Sequence, residues 1–463
     1  MTLSYFALAG AALHWLVVLV VYHRRLRAAE VVVVTNAPRA FGTLFITIDM
    51  TRRLYRGKRI VFVSLIEKQG HNELLGMAFP DIEIVQPQRW IWAWSFVGRS
   101  IKLPPTEWHD PMAYAFTSWW LRRFGRDGVK CLCPFDIWHE APLPDSVRKI
   151  FPIVDAAPVA RPGPFKAYSS DLTAVRKGEP HVGNELHLYG SWNTLRAAIS
   201  APAMRLPANR VAIIKSKLSA AAGGNTGLCG LHTRYGGTTD KIFRDGSPLE
   251  FYIPAIRRLV SRGYQVLIQG DRSLHPRFRD SFEGMVVDAD SLQLDDDEFR
   301  LFCGTETDIF IGDWPVAPQL ANVNDIPTLV VNAWPVGWGI NDSWVYYRGI
   351  NDKNDNPWHW KRVLRDGPLL NCNSVIHNYP ELYGYKDALA AEMGTVCQRY
   401  MDDDEILDAV ECFLNDVNDG STDDPYSNIA ALLPIWTPFA MATNCRLSPA
   451  WVRHQVREST AVA

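Results

Sequence analysis

Apolar runs along the chain alternate between two spacings. Glu30-Val31-Val32-Val33-Val34-Thr35-Asn36 and Arg59-Ile60-Val61-Phe62-Val63-Ser64 are short β-branched runs closed by turn residues, as expected of strands buried on both faces. Between them, residues 44–55 carry Leu44, Ile48 and Leu54 at helical spacing, and Gly57 ends the segment. A helix near residues 71–79 and a strand Ile82-Glu83-Ile84-Val85 extend this βαβ rhythm. The rhythm returns later. Residues 228–234, 264–269, 285–288, 308–312 and 328–332 predict strands, separated by helices over 249–262, 296–303 and about 318–323. Pro254 lies near the first turn of the 249–262 helix. Alternation of this kind predicts an α/β protein with two tandem Rossmann-like domains built on open parallel sheets.

Leu3 to Tyr22 is almost unbroken in apolar residues. About 20 such residues suffice to cross roughly 30 Å of hydrocarbon as a helix. No Lys or Arg precedes the run, and His23-Arg24-Arg25-Leu26-Arg27 follows it. This flank argues against a cleaved signal peptide. It predicts an N-terminal transmembrane helix with the body on the cytoplasmic side; a buried or interfacial helix is the other reading. The expected division is a membrane anchor over 1–29, a first Rossmann-like domain over 30–222, a second over 223–378, and a mainly helical region over 379–463 that packs back on the body. A helical region over 191–222 and a break at Gly223-Gly224-Asn225 set the middle boundary.

Composition removes several classes. The chain has 463 residues, 47% hydrophobic and 21% charged, so disorder and small disulfide scaffolds are excluded. With Lys+Arg 48 against Asp+Glu 50, it lacks the basic excess of a nucleic-acid binder. Its eight cysteines form no CxxC pair, and only Cys131 and Cys133 are close. No Walker P-loop, His-Glu-x-x-His or Gly-x-Ser-x-Gly occurs, and the loop 38–42 lacks the dinucleotide fingerprint. The aromatics Trp90, Trp92, Trp94, Phe96, Trp108, Trp119 and Trp120 read either as a large-ring core or as a sugar- or lipid-facing surface. Acidic runs at 295–297 and 402–404 precede predicted helices, where dipole pairing accounts for them better than a metal-binding Asp-x-Asp.

Open parallel sheets bind ligands beyond the carboxyl ends of their strands. Polar and Gly-bearing turns fall at such ends: His232 and Arg234, Gln269 and Gly270 followed by Asp271, Gly312 and Asp313, and Asn332. Arg234 offers a planar fork that grips phosphate oxygens and balances charge on a departing diphosphate. His232 lies two residues earlier, on the same side of an extended strand, and is suited to a hydrogen bond with phosphate or ribose. Pro318 suits a first helical turn, leaving the amides of Gln319 and Leu320 directed at an anion. Asp313 is suited either to a sugar hydroxyl or to a helix cap.

Leu231-His232-Thr233-Arg234 is similar to the His-x-Arg strand end of fucosyltransferase-like glycosyltransferases. Phe310-Ile311-Gly312, then Pro318-Gln319-Leu320-Ala321, then Ile326-Pro327 resembles the donor-holding turn, helix and strand of heptosyltransferase-like members. Residues 225–335, and more faintly 30–86, thus resemble GT-B glycosyltransferases of a bacterial surface-polysaccharide branch. The nearest acid after Arg234 is Asp240, beyond Gly236 and Gly237, and Ala317 stands where the heptosyltransferase pattern has Gly. The resemblance implies transfer from a nucleotide sugar to a glycan or lipid-linked acceptor, with no metal and no cofactor beyond the donor. It implies Arg234 and His232 at the reacting end, and Gln269, Gly270, Asp313, Pro318, Gln319, Leu320 and Asn332 around the donor. His71, Glu73 and Asp136 are eligible as an acceptor-side base. A nucleotide-sugar epimerase of the same two-domain form and a membrane-tethered scaffold are the alternatives.

Overall fold

A computed structural model of the chain describes residues 13, 15–35, 41–64, 78–85, 109–133, 136–137, 192–222, 227–234, 246–270, 282, 284–313, 317–333, 340, 342–352, 354, 356–359, 397–419 and 446–454. These fall into two compact units, the first ending at Pro202 and the second beginning at Ala203.

The first unit is built on β1 (Val31–Thr35), β2 (Ile60–Ser64), β3 (Ile82–Val85) and β4 (Lys130–Leu132). They form one parallel sheet in the order β3-β2-β1-β4. Its helices include α1 (His23–Ala28), α2 (Phe41–Leu54) and α3 (His109–Phe124). Val31, Val32, Val33 and Phe62 are fully buried, as an apolar run covered on both faces requires. The α2 helix is tied to the end of the unit by polar contacts. Trp192 Nε1 donates to Asp49 Oδ2 at 2.8 Å, and Arg52 and Arg53 donate to the carbonyls of Pro202 and Ile199. Asp49 also pairs with Arg53 at 2.8 Å within the helix.

The expected membrane span is described from residue 13 onward, apart from residue 14; residues 3–12 lie outside the described residues. Among the described residues, no helix is long and apolar enough to cross a membrane. The described part of the run is helical and packs on the first unit. Trp15, Val18, Leu19 and Leu26 pack with Val32, Val34, Val61, Val63 and Leu121 in one core. Trp15 Nε1 donates to Thr117 Oγ1 at 2.9 Å inside that core. An unbroken apolar run carries no periodicity, so the sequence alone did not show that one face is covered by protein.

The second unit carries a seven-stranded sheet, order β13-β10-β9-β8-β5-β6-β7, in which every pairing is parallel. Its strands are β5 (Gly227–Thr233), β6 (Tyr264–Gly270), β7 (Val286–Val287), β8 (Ile309–Asp313), β9 (Thr328–Ala333), β10 (Trp344–Tyr347) and β13 (Arg446–Leu447). The helices are α4 (Ala208–Ala222), α5 (Ile253–Ser261), α6 (Asp296–Glu306), α7 (Ala317–Val323) and α8 (Asp403–Asp419). A 3-10 turn over Leu249–Tyr252 precedes α5, and Pro254 occupies its first turn, where a missing amide is harmless.

The boundary falls about twenty residues before the expected break at 223 because α4 is bonded into the second unit. Lys217 Nζ donates to the Leu292 carbonyl at 2.6 Å, Gln265 Nε2 donates to the Leu218 carbonyl at 3.3 Å, and Lys215 pairs with Glu306 at 3.1 Å. The expected C-terminal region also belongs to this unit. It is more mixed than expected, since β12 (Cys397–Arg399) pairs antiparallel with β11 (Gly349–Asn351) and β13 joins the main sheet. Both acidic runs do cap helices. Asp295 accepts from the amides of Asp297 and Glu298 at the start of α6. Asp402 and Glu405 exchange amide-to-carboxylate bonds of 2.9 and 3.0 Å at the start of α8, a reciprocal capping box.

Candidate functional site

In the second unit the chain runs outward through β5, β6 and β7, then returns to lay β8 on the other side of β5. The direction reverses between β5 and β8, and the crevice beyond the carboxyl ends of those two strands is the switch point where such sheets take ligands. The sequence candidates gather there. His232 is in register with Gln269 on one side and Gly312 on the other. A Cβ built on Gly312 would stand 3.0 Å from His232 Cβ and 3.2 Å from Pro318 Cγ, so the end of β5 meets the start of α7 across this glycine. Gly270 closes β6 at φ +123°, and a Cβ there would lie 1.8 Å from the Thr233 carbonyl oxygen. Only glycine fits that turn.

Several polar atoms at these strand ends are buried with no hydrogen-bond partner: His232 Nδ1, Thr233 Oγ1 and both amide atoms of Gln269; both amide atoms of Gln319, within α7, are likewise unpartnered. Gln269 and Gln319 are 5% and 0% exposed. Buried polar groups are almost always satisfied, and such a concentration marks a place where partners from outside complete the bonding. Two cations face it. Burial pushes the His232 imidazole down to about 3, helped by the charges of Arg300 and Arg234, so it is neutral near pH 7. Arg300, on α6, lines a small depression with Gln269, Gly270, Asp290, Asp296 and Phe299. The sequence analysis missed Arg300; its place mid-helix carries no local motif.

Two expected donor-binding residues are engaged elsewhere. Asp313 is fully buried. Its Oδ1 accepts from Tyr252 Oη at 2.7 Å and from Asn332 Nδ2 at 2.9 Å, and its Oδ2 accepts from the Arg234 amide at 3.1 Å. Burial raises its carboxyl to about 6, against the lowering effect of those donors and of Arg348. Gly246 packs against this carboxylate so closely that a Cβ would fall 2.0 Å from it. Asn332 is also fully buried, at φ 49°, in the left-handed region that Asn tolerates. Its Oδ1 accepts from the Met401 amide at 2.9 Å, and Ser247 Oγ donates to the Met401 carbonyl at 2.6 Å. Asp313 and Asn332 thus form a bracket that ties the segments at 234, 246–252 and 401 to the ends of β8 and β9. They hold Arg234 in place and offer no free atom to a sugar.

Pro318, Gln319 and Leu320 lie in α7, seven residues long and wholly buried; residues 314–316 and Asp271 lie outside the described residues. Of the eligible bases, His71 and Glu73 also lie outside them. Asp136 accepts from the Cys133 amide at 2.8 Å, beyond the end of β4. Trp90, Trp92, Trp94, Phe96 and Trp108 are likewise outside the described residues. Among the described residues, no three His, Cys, Asp or Glu side chains are grouped to hold a metal ion.

No protein-family profile and no curated protein matches this sequence. Solved structures similar to it include a glycosyl transferase family 9 protein from Veillonella parvula DSM 2008, 11% identical with a TM-score of 0.40, over 84% of this chain and 98% of that chain. Another is E. coli ADP-heptose LPS heptosyltransferase II, 11% identical with a TM-score of 0.38, over 69% of this chain and 90% of that one. A third is E. coli heptosyltransferase WaaC with ADP-2-deoxy-2-fluoro heptose, 12% identical with a TM-score of 0.36, over 68% and 92%.

Proposed function

We propose that the chain is a GT-B type glycosyltransferase that binds a nucleotide sugar at the switch point of its second unit and passes the sugar to a glycan or lipid-linked acceptor. The observation that carries this reading is the set of unpartnered polar atoms on His232, Thr233 and Gln269 at two adjoining strand ends, with the charges of Arg300 and Arg234 acting on His232. An apolar ligand would leave those atoms unsatisfied. A ligand rich in hydroxyls and charged oxygens would satisfy them. The sequence resemblance of residues 225–335 supplies the chemical class of that ligand.

In this reading the donor diphosphate rests against Arg234, with the start of α7 around Pro318 and Leu320 beneath it. His232, neutral at working pH, donates a hydrogen bond to a phosphate or ribose oxygen rather than a proton to the leaving group. Gln269 and Gln319 orient the donor through their amides, and Gly270 lets the backbone approach it. Arg234 balances the negative charge that develops on the departing nucleotide diphosphate. Asp313 and Asn332 act through Arg234, as positioning residues. No metal and no cofactor besides the donor is required. A cytosolic donor pool sets the reaction on the cytoplasmic side of the membrane.

The test is a thermal-shift series with GDP-, UDP-, ADP- and CMP-linked sugars, because a ligand that binds the native state raises its apparent stability. One class should raise the melting temperature, and Arg234→Ala should abolish that rise. A stabilising donor consumed without any acceptor would favour the epimerase; no response to any of the four would favour the scaffold.

A further inference from the structure

Among the described residues, seven large hydrophobic side chains are exposed, and five of them lie on two adjacent helices of the first unit. Leu13, Val20 and Val21 are on the N-terminal helix, and Trp119 and Phe124 are on α3. The helices touch where Trp120 Nε1 donates to His23 Nδ1 at 3.2 Å, with their rings edge to face at 5.7 Å. Val20 and Val21 lie within one turn of His23, and Trp119 and Phe124 lie within about one turn of Trp120. Trp119 and Phe124 are themselves 6.1 Å apart. Val20, Val21, Trp119 and Phe124 are therefore grouped about the contact between the two helices.

The charge around that neighbourhood is strongly one-sided. Arg24, Arg25, Arg27, Arg122, Arg123 and Arg126 are all exposed. Within residues 13–28 and 117–128 the only acid is Asp127, so these stretches carry a formal +5 on a chain whose net charge is -2. One nearby acid, Glu83, is shared between Arg25 at 3.3 Å and Arg59 at 3.1 Å. Apolar side chains that include an exposed Trp, fringed by arginines in excess of the nearby acids, have the chemistry of a surface that dips into the headgroup layer of an anionic bilayer.

We infer that this two-helix patch docks the first unit onto the surface of an anionic lipid bilayer, with Trp119, Phe124, Val20 and Val21 entering the interface and the arginines meeting lipid phosphates. The attachment is peripheral. It follows from side chains that face away from the core, while Trp15, Val18 and Leu19 of the same N-terminal helix stay packed within the unit. It is independent of the donor-site reading.

The test is co-sedimentation of the full chain with vesicles of phosphatidylcholine alone and with added phosphatidylglycerol. Binding should be roughly tenfold or more tighter on the anionic vesicles and should be released by salt. The pair Trp119→Ser/Phe124→Ser and the pair Arg122→Ser/Arg123→Ser should each weaken it about tenfold, with the melting temperature unchanged. Ile213→Ser, an exposed apolar residue of the second unit, should bind as wild type does. Equal binding to both vesicle types, undiminished binding by both pairs, or retention on vesicles through high salt and alkaline carbonate would each overturn the inference. The last result would mean a spanning segment.

Discussion

Arg234 and Asp313 are joined through the main chain: the Arg234 amide donates to the buried Asp313 carboxylate at 3.1 Å. The residue best suited to meet a diphosphate is thus held by an acid that never reaches solvent. Asp313→Ala would strand the Tyr252 hydroxyl and the Arg234 amide, and leave the Asn332 amide with Ser247 Oγ at 3.0 Å. Each stranded buried donor costs about 1–3 kcal/mol, partly offset here by removing a buried charge. The expected loss is about 2–4 kcal/mol in urea unfolding, with donor affinity reduced although Asp313 itself touches no ligand. Donor affinity equal to wild type in the folded variant would separate Asp313 from the site.

Acid stability follows from His232. Its folded value is pushed down to about 3, while the unfolded histidine titrates near 6.5. Below about 6.5 the unfolded chain gains a proton that the folded chain does not. The folded state therefore loses stability as pH falls from about 6.5 toward 3, and keeps it in full above 6.5. Asp313, raised to about 6, works in the opposite sense, gaining stability as pH falls from about 6 to 4. His232→Gln should flatten the decline in melting temperature between pH 6.5 and 4. A profile parallel to that of the wild type would show that the imidazole is not held neutral.

Gly270 is the most constrained position at the rim. With φ +123° and the Thr233 carbonyl 1.8 Å from any Cβ, Gly270→Ala must part β5 from β6 at their ends. A loss of about 2–4 kcal/mol is expected, by strain and overpacking together. Gly57, at φ +80° with nothing near it, gives the contrast, since alanine there meets strain alone. Equal losses at the two positions would remove the close approach as the cause.

Glu405 anchors the C-terminal part to the sheet. It accepts two bonds from Arg399 at 2.8 and 2.7 Å, one from Tyr346 Oη at 3.0 Å and one from the Asp402 amide at 3.0 Å. Glu405→Ala should cost about 3 kcal/mol, because it removes the acceptor shared by a half-buried guanidinium and a buried phenol. Hydrogen exchange should rise in α8 before the rest of the second unit. Uniform exchange would contradict a local clamp.

Most of the second unit's rhythm was legible because parallel strands buried on both faces leave nearly continuous apolar runs, as 308–312 and 328–332 do. The observed strands, 309–313 and 328–333, differ from them by about one residue. The rim was legible for the same reason: His232, Gln269, Gly312 and Asp313 stand where such runs stop. Burial at the rim was not legible. Asp313 and Asn332 have the residue types of a sugar contact, and only packing shows that Tyr252, Ser247 and Met401 claim their atoms. The long helical region expected over 191–222 is two pieces, 192–198 and 208–222, with Pro202 and Pro207 between them. The short strands over 344–347 and 349–351 are four and three residues long, too brief for a periodicity to show.

The proposed nucleotide-sugar site is the unpartnered polar rim beside Arg234. Its most direct test is calorimetric titration of the full chain, and of Arg234→Ala, with the nucleotide sugar that most raises the melting temperature. Saturable one-to-one binding is expected of the wild type, and a loss of tenfold or more in affinity of the folded variant, at about 1.5–3 kcal/mol for a charge-assisted contact. Equal affinity of the two proteins for that nucleotide sugar would contradict it.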